Sequence, residues 1–232
     1  MENKIYLKVF DSKSLEALNK LEGDGYISNL TGPLSTGKES YVFKSRDSQN
    51  REVAVKIHRH DIKSFKKIPS YLVLRGSKSG GFLRRINLWT RYEFNFLSKA
   101  FNIGINVPEP YRVYENILVM QFLGEGDTPA KLAIKTTDFD KERWYSEIVD
   151  SIIKMGKAGF MHGDLSPYNI MNFNDRPYLI DFSQALKLSQ ATLEYLKRDI
   201  DNVNRWFAKM GLDDISDSEN IIGRINKSYV KG

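Results

Sequence analysis

The sequence has no cysteine, which removes disulfides, thiolate metal sites and a cysteine nucleophile from consideration. Its three histidines, His58, His60 and His162, leave little for a histidine-built metal site or a Ser-His-Asp triad. No apolar stretch approaches the ~18 consecutive residues of a membrane-spanning helix; the longest runs, such as Ile117–Met120, are strand-sized. The opening, MENKIYLKVFDSKS, carries neither an apolar signal core nor a small-residue cleavage site. What is left is a chain of 232 residues, 41% of them hydrophobic, sufficient for one large domain or two small lobes with a core that needs no staples. The expectation is a soluble globular protein of the cytoplasm.

Charge is unevenly spread. Residues 51–100 hold twelve Lys/Arg against three Asp/Glu, a net +9 in a chain whose total is +6, so the remainder sums to −3. A concentrated positive half suits a polyanionic partner, nucleotide phosphates or RNA, as well as an ordinary solvated face. The nearby aromatics Phe65, Tyr71, Phe82 and Trp89 form no base-stacking string.

Patterning predicts a short amphipathic helix over 12–23, capped by Ser12 or Ser14, striped by Leu15, Leu18 and Leu21 and ended by Gly23. Strand segments are expected at Gly25–Thr31 and Tyr41–Ser45, around the polar stretch Gly32–Ser40, and again at Glu52–His58. Asp61–Gly81, basic and Gly/Ser-rich toward its end, reads as a mobile loop. Ile86, Trp89, Phe96, Leu97 and Ala100 share one face of a helix over 83–101. A strand pair follows at Val107–Val113 and Ile117–Phe122, then a helix over Asp140–Gly156 striped by Trp144, Ile148, Ile152 and Met155. Ile170–Phe173 and Tyr178–Ile180 are expected to form a hairpin through Asn174–Pro177, with helices at about 189–210 and 217–230 closing the chain. Strands early and helices late give an α+β, two-lobed architecture.

Four features carry chemistry. Lys56 lies inside the apolar strand Val53-Ala-Val-Lys-Ile57, where an ammonium is costly unless an anion meets it; taken alone, it also fits the wet face of an edge strand. Glu93, midway between Trp89 and Leu97, sits on the apolar stripe of its helix, where a carboxylate wants a cation, and Lys56 is the natural candidate. In His162-Gly-Asp-Leu-Ser-Pro-Tyr-Asn-Ile170, Asp164 can take a proton from a hydroxyl and the amide oxygen of Asn169 can ligate a hard cation, with His162 a scaffold residue. Asp181 ends an apolar strand twelve residues later, and with Asn169 it makes the sparse oxygen set that Mg²⁺ prefers.

The ordered set Lys56, Glu93, HGD(164)LSPYN(169) and ID(181)F resembles the protein-kinase superfamily, with its strand lysine, helix glutamate, catalytic aspartate and metal-binding asparagine and aspartate. More narrowly, STGKES at 35–40, HGDLSPYNI at 162–170, LIDFSQ at 179–184 and LKRDIDNVNRWF at 196–207 resemble the RIO family of atypical serine kinases across roughly residues 25–210. The opening is short for a winged-helix extension, so the resemblance is to the first RIO type. It implies ATP as substrate with Mg²⁺, or Mn²⁺ in its place, and phosphate contact through Ser35, Thr36, Gly37, Lys38, Glu39 and Ser40. It also implies Lys56 paired with Glu93, Asp164 as base, metal at Asn169 and Asp181, a hinge near Gln121–Leu123 (about 121–124), and nucleotide contact at Met120, Gln121 and Leu123. A flexible loop at about 70–85, autophosphorylation of serine, an aspartyl-phosphate at Asp181 and a role in maturing the small ribosomal subunit complete the set; the charge of segment 51–100 makes it the expected contact for that subunit's RNA. Pro167 stands where the family usually has glutamate, DFS replaces the DFG of ordinary kinases, and Asp127–Lys131 is shorter than the usual proline-richer stretch.

Only 51 residues follow Asp181, too few for an activation segment and a peptide-gripping set of helices, and Gly163 replaces the arginine of H-R-D. Gly32–Lys38 fits G-x-x-x-x-G-K, but Glu39 stands where a P-loop needs Ser or Thr. A small-molecule phosphotransferase of the aminoglycoside or choline kinase kind, which shares HGDxxxxN, and an assembly factor latched by ATP remain the alternatives.

Overall fold

In the computed structural model residues 10–60 and 81–225 are described. The loop expected over Asp61–Gly81 falls outside them as far as residue 80, with Lys63, Lys66, Lys67, Arg75 and Lys78; so does the stretch 226–230 of the last expected helix. The chain divides into two compact units, one up to Asn95 together with Glu109–Pro129, the other Phe96–Pro108 together with the chain from Ala130 onward.

The first unit is built on a five-stranded antiparallel sheet. Helix α1 (Ser12–Gly23) precedes it, followed by β1 (Pro33–Thr36), β2 (Ser40–Arg46) and β3 (Glu52–His58). Helix α2 (Phe82–Asn102), β4 (Pro110–Tyr114) and β5 (Ile117–Gln121) come next, and the sheet order is β1-β2-β3-β5-β4. Because side chains alternate along a strand, Val53, Val55 and Ile57 share one face of β3. They pack in a core with Phe43, Ile117, Val119 and the Ala17, Leu18 and Leu21 stripe of α1. Burying each such aliphatic side chain contributes roughly 1.5–3 kcal/mol.

The expected cap of α1 moves by one residue. Asp11 caps the helix: its Oδ1 accepts from the Ser14 N–H at 2.9 Å, and the Ser14 hydroxyl donates to Oδ2 at 3.0 Å. An aspartate one position earlier reaches the third helical N–H, which Ser12 and Ser14 cannot. Nor does Gly25–Thr31 form a strand. Gly25 has φ +78°, and the backbone N–H groups of Ser28 and Thr31 go to Ser45 Oγ and the Lys44 carbonyl instead. The strand lies further on, in Pro33–Thr36, an exposed edge with no apolar alternation to announce it.

The second unit centres on helix α3. After the two-residue strands β6 (Gly124–Glu125) and β7 (Thr128–Pro129), which close the first unit, come β8 (Lys131–Leu132), α3 (Lys141–Lys157), β9 (Phe160–Met161), β10 (Ile170–Phe173) and β11 (Arg176–Leu179). Strand β12 (Leu186–Lys187) and helices α4 (Leu193–Lys209) and α5 (Ser218–Ile225) finish it. Asp140 caps α3 by accepting from the Arg143 N–H at 3.0 Å, and the stripe Trp144, Ile148, Ile152 and Met155 is fully buried. Gly156 gives α5 its close approach, since a Cβ there would meet the Ile225 side chain at 2.7 Å.

The β10–β11 turn is tighter than expected. Asn174 and Asp175 both take left-handed φ (51° and 56°), so two residues close the hairpin and Arg176 and Pro177 join β11. Pro177 is tolerated because β11 is the edge of the three-stranded β11-β10-β8 sheet. The helix expected from about 189 begins at Leu193, after a single turn at Gln190–Thr192 that Ser189 and Thr192 cap reciprocally.

Candidate active site

Strand β3 lies between β2 and β5, with Lys56 opposite Val42 and Leu118, so the edge-strand alternative for Lys56 falls away. Alternation turns Ala54, Lys56 and His58 to the face opposite the core valines, and all three are buried. Helix α2 places Ile86, Trp89, Glu93 and Leu97 on its buried side for the same periodic reason. Lys56 Nζ lies 2.7 Å from Glu93 Oε1, with side chains 6% and 2% exposed. Two charges so far from water are sustained only by each other and by further hydrogen bonds. The second oxygen of Glu93 is engaged too: Oε2 is 2.8 Å from His58 Nε2, and the imidazole leans on the Trp89 ring at 4.8 Å. The His58 backbone donates to the Asn116 carbonyl and accepts from Asn116 Nδ2, which also donates to Ser14 Oγ.

The stretch Ser35–Ser40 is a hairpin. Ser35 and Thr36 are exposed on β1, and Gly37 and Lys38 form its tip, which the Gly37 N–H closes on the Ser40 carbonyl at 2.9 Å. Glu39 accepts from the Arg59 N–H at 2.9 Å, tying the hairpin to the end of β3. A strand follows the glycine, where a P-loop would open a helix. Met120 and Gln121 end β5 beside Ala54 and Val53, and Leu123 is buried just beyond. The short β6–β7 hairpin is held by a buried cation. Lys44 Nζ is 2.8 Å from Glu52 Oε1 and 3.0 Å from Asp127 Oδ1, and it donates to the Gly126 carbonyl. Burial alone would lower the Lys44 pKa, but the two carboxylates outweigh it and raise it.

In the second unit, Asp164 and Asn169 lie in the loop between β9 and β10, and Asp181 follows β11. The hairpin register puts Ile170 opposite Leu179, and the Ile180 N–H donates to the Asn169 carbonyl at 3.0 Å, so Asn169 and Asp181 flank the same open end. Asn169 Nδ2 donates to the Asp164 carbonyl at 2.7 Å and to its Oδ2 at 3.3 Å. With that nitrogen committed, Oδ1 is the Asn169 atom able to take a cation. Asp181 sits at φ 63°, a left-handed conformation unusual for a residue with a side chain, and it caps the turn that follows by accepting from the Ser183 N–H. His162 is wholly buried, with Nε2 2.9 Å from the Ile180 carbonyl and its ring against Phe182, a scaffold position.

Two residues that pattern reading passed over hold this geometry: His58, and Asp199 on α4. Asp199 accepts from the Gly163 N–H at 2.7 Å and the Leu165 N–H at 2.9 Å, gripping the backbone on either side of Asp164. Burial pushes its pKa up, against the nearby His162 and these two N–H groups. Gly163 needs its lack of a side chain here, because φ is +81° and a Cβ would meet the Gln184 carbonyl at 2.1 Å. The signal for Asp199 was available, since it interrupts the apolar stripe Leu196, Ile200, Val203 and Phe207 as Glu93 interrupts its own.

A β-sheet unit carrying a buried lysine–glutamate pair and a helical unit carrying a catalytic-type loop define a two-lobed, protein-kinase-like fold. A solved structure of the same fold is the Rio2 kinase–ADP/Mg²⁺–phosphoaspartate complex from Chaetomium thermophilum, with a TM-score of 0.73 and 21% identity over 93% of this chain and 66% of that one. The chain belongs to the RIO family of serine/threonine-protein kinases, because the family model for the RIO domain matches residues 41–221. Among curated relatives, the RIO-type serine/threonine-protein kinase Rio1 of Haloferax volcanii is 33% identical over 93% of this chain and 76% of its own length. That of Methanocaldococcus jannaschii is 34% identical over 89% of this chain and 72% of its own. Among the described residues no helix is long and apolar enough to cross a membrane.

Proposed function

We propose that this chain is an ATP-dependent serine kinase and ATPase of the first RIO type. It transfers the γ-phosphoryl of ATP to serine, its own included, or to Asp181, and acts in the cytoplasm in maturing the small ribosomal subunit. The Rio1 names of the archaeal relatives support the type. Two observations carry the activity: in the first unit Lys56 is paired with Glu93, and in the second one hairpin end gathers Asp164, Asn169 and Asp181.

Lys56, held by Glu93, meets the phosphates together with the Ser35–Ser40 hairpin, and the segment at Met120, Gln121 and Leu123 serves as the hinge and base contact. Asp164 takes the proton of the acceptor hydroxyl as its oxygen bonds to the γ-phosphorus and ADP leaves. With Asp181 as acceptor, a carboxylate oxygen attacks and no proton moves; water then cleaves the acyl phosphate. The Asn169 oxygen and Asp181 carboxylate are hard, sparse donors that fit Mg²⁺, or Mn²⁺ in its place, and they would hold it; such an ion supplies charge neutralisation for the phosphates. RNA contact is assigned to segment 51–100, where Arg84, Arg91 and Lys99 are exposed along one stripe of α2.

The test is turnover of γ-labelled ATP with Mg²⁺ or Mn²⁺, following free and protein-bound phosphate together. Metal-dependent release or transfer that Asp164→Ala abolishes is expected. Turnover of free aminoglycoside or choline in preference to protein would overturn the proposal.

A further inference from the structure

The Lys56–Glu93 pair has a third member. Of the two Glu93 carboxylate oxygens, Oε1 lies 2.7 Å from the lysine and Oε2 lies 2.8 Å from Nε2 of His58, two residues along the same face of β3. A glutamate on a helix can swing about its terminal torsions, which are broad and weakly restrained. A second donor on the far oxygen removes that freedom and aims Oε1 at the ammonium. His58 is itself immobilised, with 0% exposure, its ring against Trp89 one helical turn before Glu93, and its backbone bonded both ways to Asn116. Its Nδ1 has no hydrogen-bond partner among the described residues. That pattern fits a neutral ring with its proton on Nε2. An imidazolium would bury an unpaired, charged N–H at Nδ1, and the other neutral tautomer would set a bare Nε2 against a carboxylate.

We infer that His58 is a positioning residue for phosphoryl transfer, donating from Nε2 to lock the Glu93 carboxylate in the orientation that presents Lys56 to the phosphates. The inference rests on the kinase reading above. It adds to the lysine and its partner glutamate a third buried group whose contribution is a single directed hydrogen bond.

The experiment compares His58→Phe, which keeps the ring packing against Trp89 and deletes the donor, with His58→Gln, whose amide nitrogen can reproduce it. Lys56→Ala is run beside them, and kcat, KM for ATP, Kd for Mg²⁺–ADP and the unfolding midpoint are measured for each. His58→Phe is expected to lower kcat/KM about tenfold, chiefly in kcat, with Kd for ADP changing less than about threefold. His58→Gln should return kcat to within about threefold of the parent, whatever its midpoint. A purely structural role would instead make activity follow the unfolding midpoint across both variants. Full activity in His58→Phe, or equal loss in His58→Gln, overturns the inference while leaving the site intact. Full activity in Lys56→Ala overturns the kinase reading itself. A measurement that needs no turnover is the ¹⁵N chemical shift of the His58 ring in the unaltered protein. An Nε2-protonated, Nδ1-bare tautomer is expected, and an Nδ1-protonated ring overturns the inference.

Discussion

Removing the Asp199 carboxylate tests whether the Asp164 loop is held from behind. In the folded chain the two oxygens take the Gly163 and Leu165 N–H groups at 2.7 and 2.9 Å, so the carboxylate grips the residues before and after Asp164. Hydrogen bonds to a charged group contribute about 1.5–3 kcal/mol each, and two of them about 3–6 kcal/mol. Burial opposes this, as the raised pKa of Asp199 shows, so deleting the charge returns part of the loss. Asp199→Ala is therefore expected to cost about 2–4 kcal/mol of stability. Asp199→Asn keeps one acceptor but turns an amide NH₂ toward a backbone N–H, leaving a buried donor unpaired at a cost of about 1–3 kcal/mol. The functional effect should be larger than the stability effect, because a displacement of Asp164, the proposed base, by about 1 Å can lower the rate ~10²-fold. Urea unfolding gives the first quantity, and kcat measured well below the unfolding transition gives the second. An Asp199→Ala protein that is folded and retains kcat within about twofold of the parent would refute the reasoning, since a loop so gripped cannot keep its geometry without the grip.

Asp164→Ala should abolish turnover while leaving nucleotide affinity within about tenfold, because a base acts in the transition state; calorimetric titration with ADP checks the second part. Asp181→Asn should eliminate metal-dependent nucleotide binding and any hydroxylamine-labile phosphoryl-enzyme; a labile phosphate persisting in that variant places the acceptor elsewhere. Burial would raise the Asp47 pKa, but the Arg51 and Gln49 N–H groups outweigh it and hold it below the ordinary aspartate value. A folded-state value below the unfolded one means stability that is present above about pH 3.9 and lost as pH falls through the folded value. Asp47→Asn should thus flatten the acid limb of the urea-midpoint profile, and an unchanged limb would count against the assignment. RNA binding through Arg84, Arg91 and Lys99 predicts a log K against log salt slope of about −2 for single strands, and a flat dependence would remove the α2 stripe from the interface.

Long amphipathic elements were legible in the sequence because burial and periodicity coincide there. Trp144, Ile148, Ile152 and Met155 announce α3, and Trp89 and Leu97 announce α2 with Glu93 as the exception that points to its cation. Elements stabilised by backbone rather than by apolar contrast were not. Strand β1 is an exposed, polar edge, and Gly25–Thr31 spends its donors on Ser45 and Lys44, so each defeats an alternation rule. The Asp11 cap was hidden by the two serines that follow it, a residue type that caps helices about as often. His58 was passed over because one histidine in an apolar strand has no spacing partner in sequence; its partner arrives from α2, 35 residues away. Lys44 was hidden in the same way, since Asp127 lies 83 residues further along.

The bond from Asn116 to Ser14 reaches past the sheet to the first helix, while the same amide grips the carbonyl of His58. Shortening the chain to begin after Gly23 would therefore do more than uncover Val53, Val55 and Ile57, the sheet side of the core that Leu18 and Leu21 fill. It would also take from Asn116, in the β4–β5 turn, its Ser14 partner, and a weaker nucleotide affinity is the expected outcome. The first helix is thus tied, through Ser14, Asn116 and the His58 carbonyl, to the strand that carries Lys56.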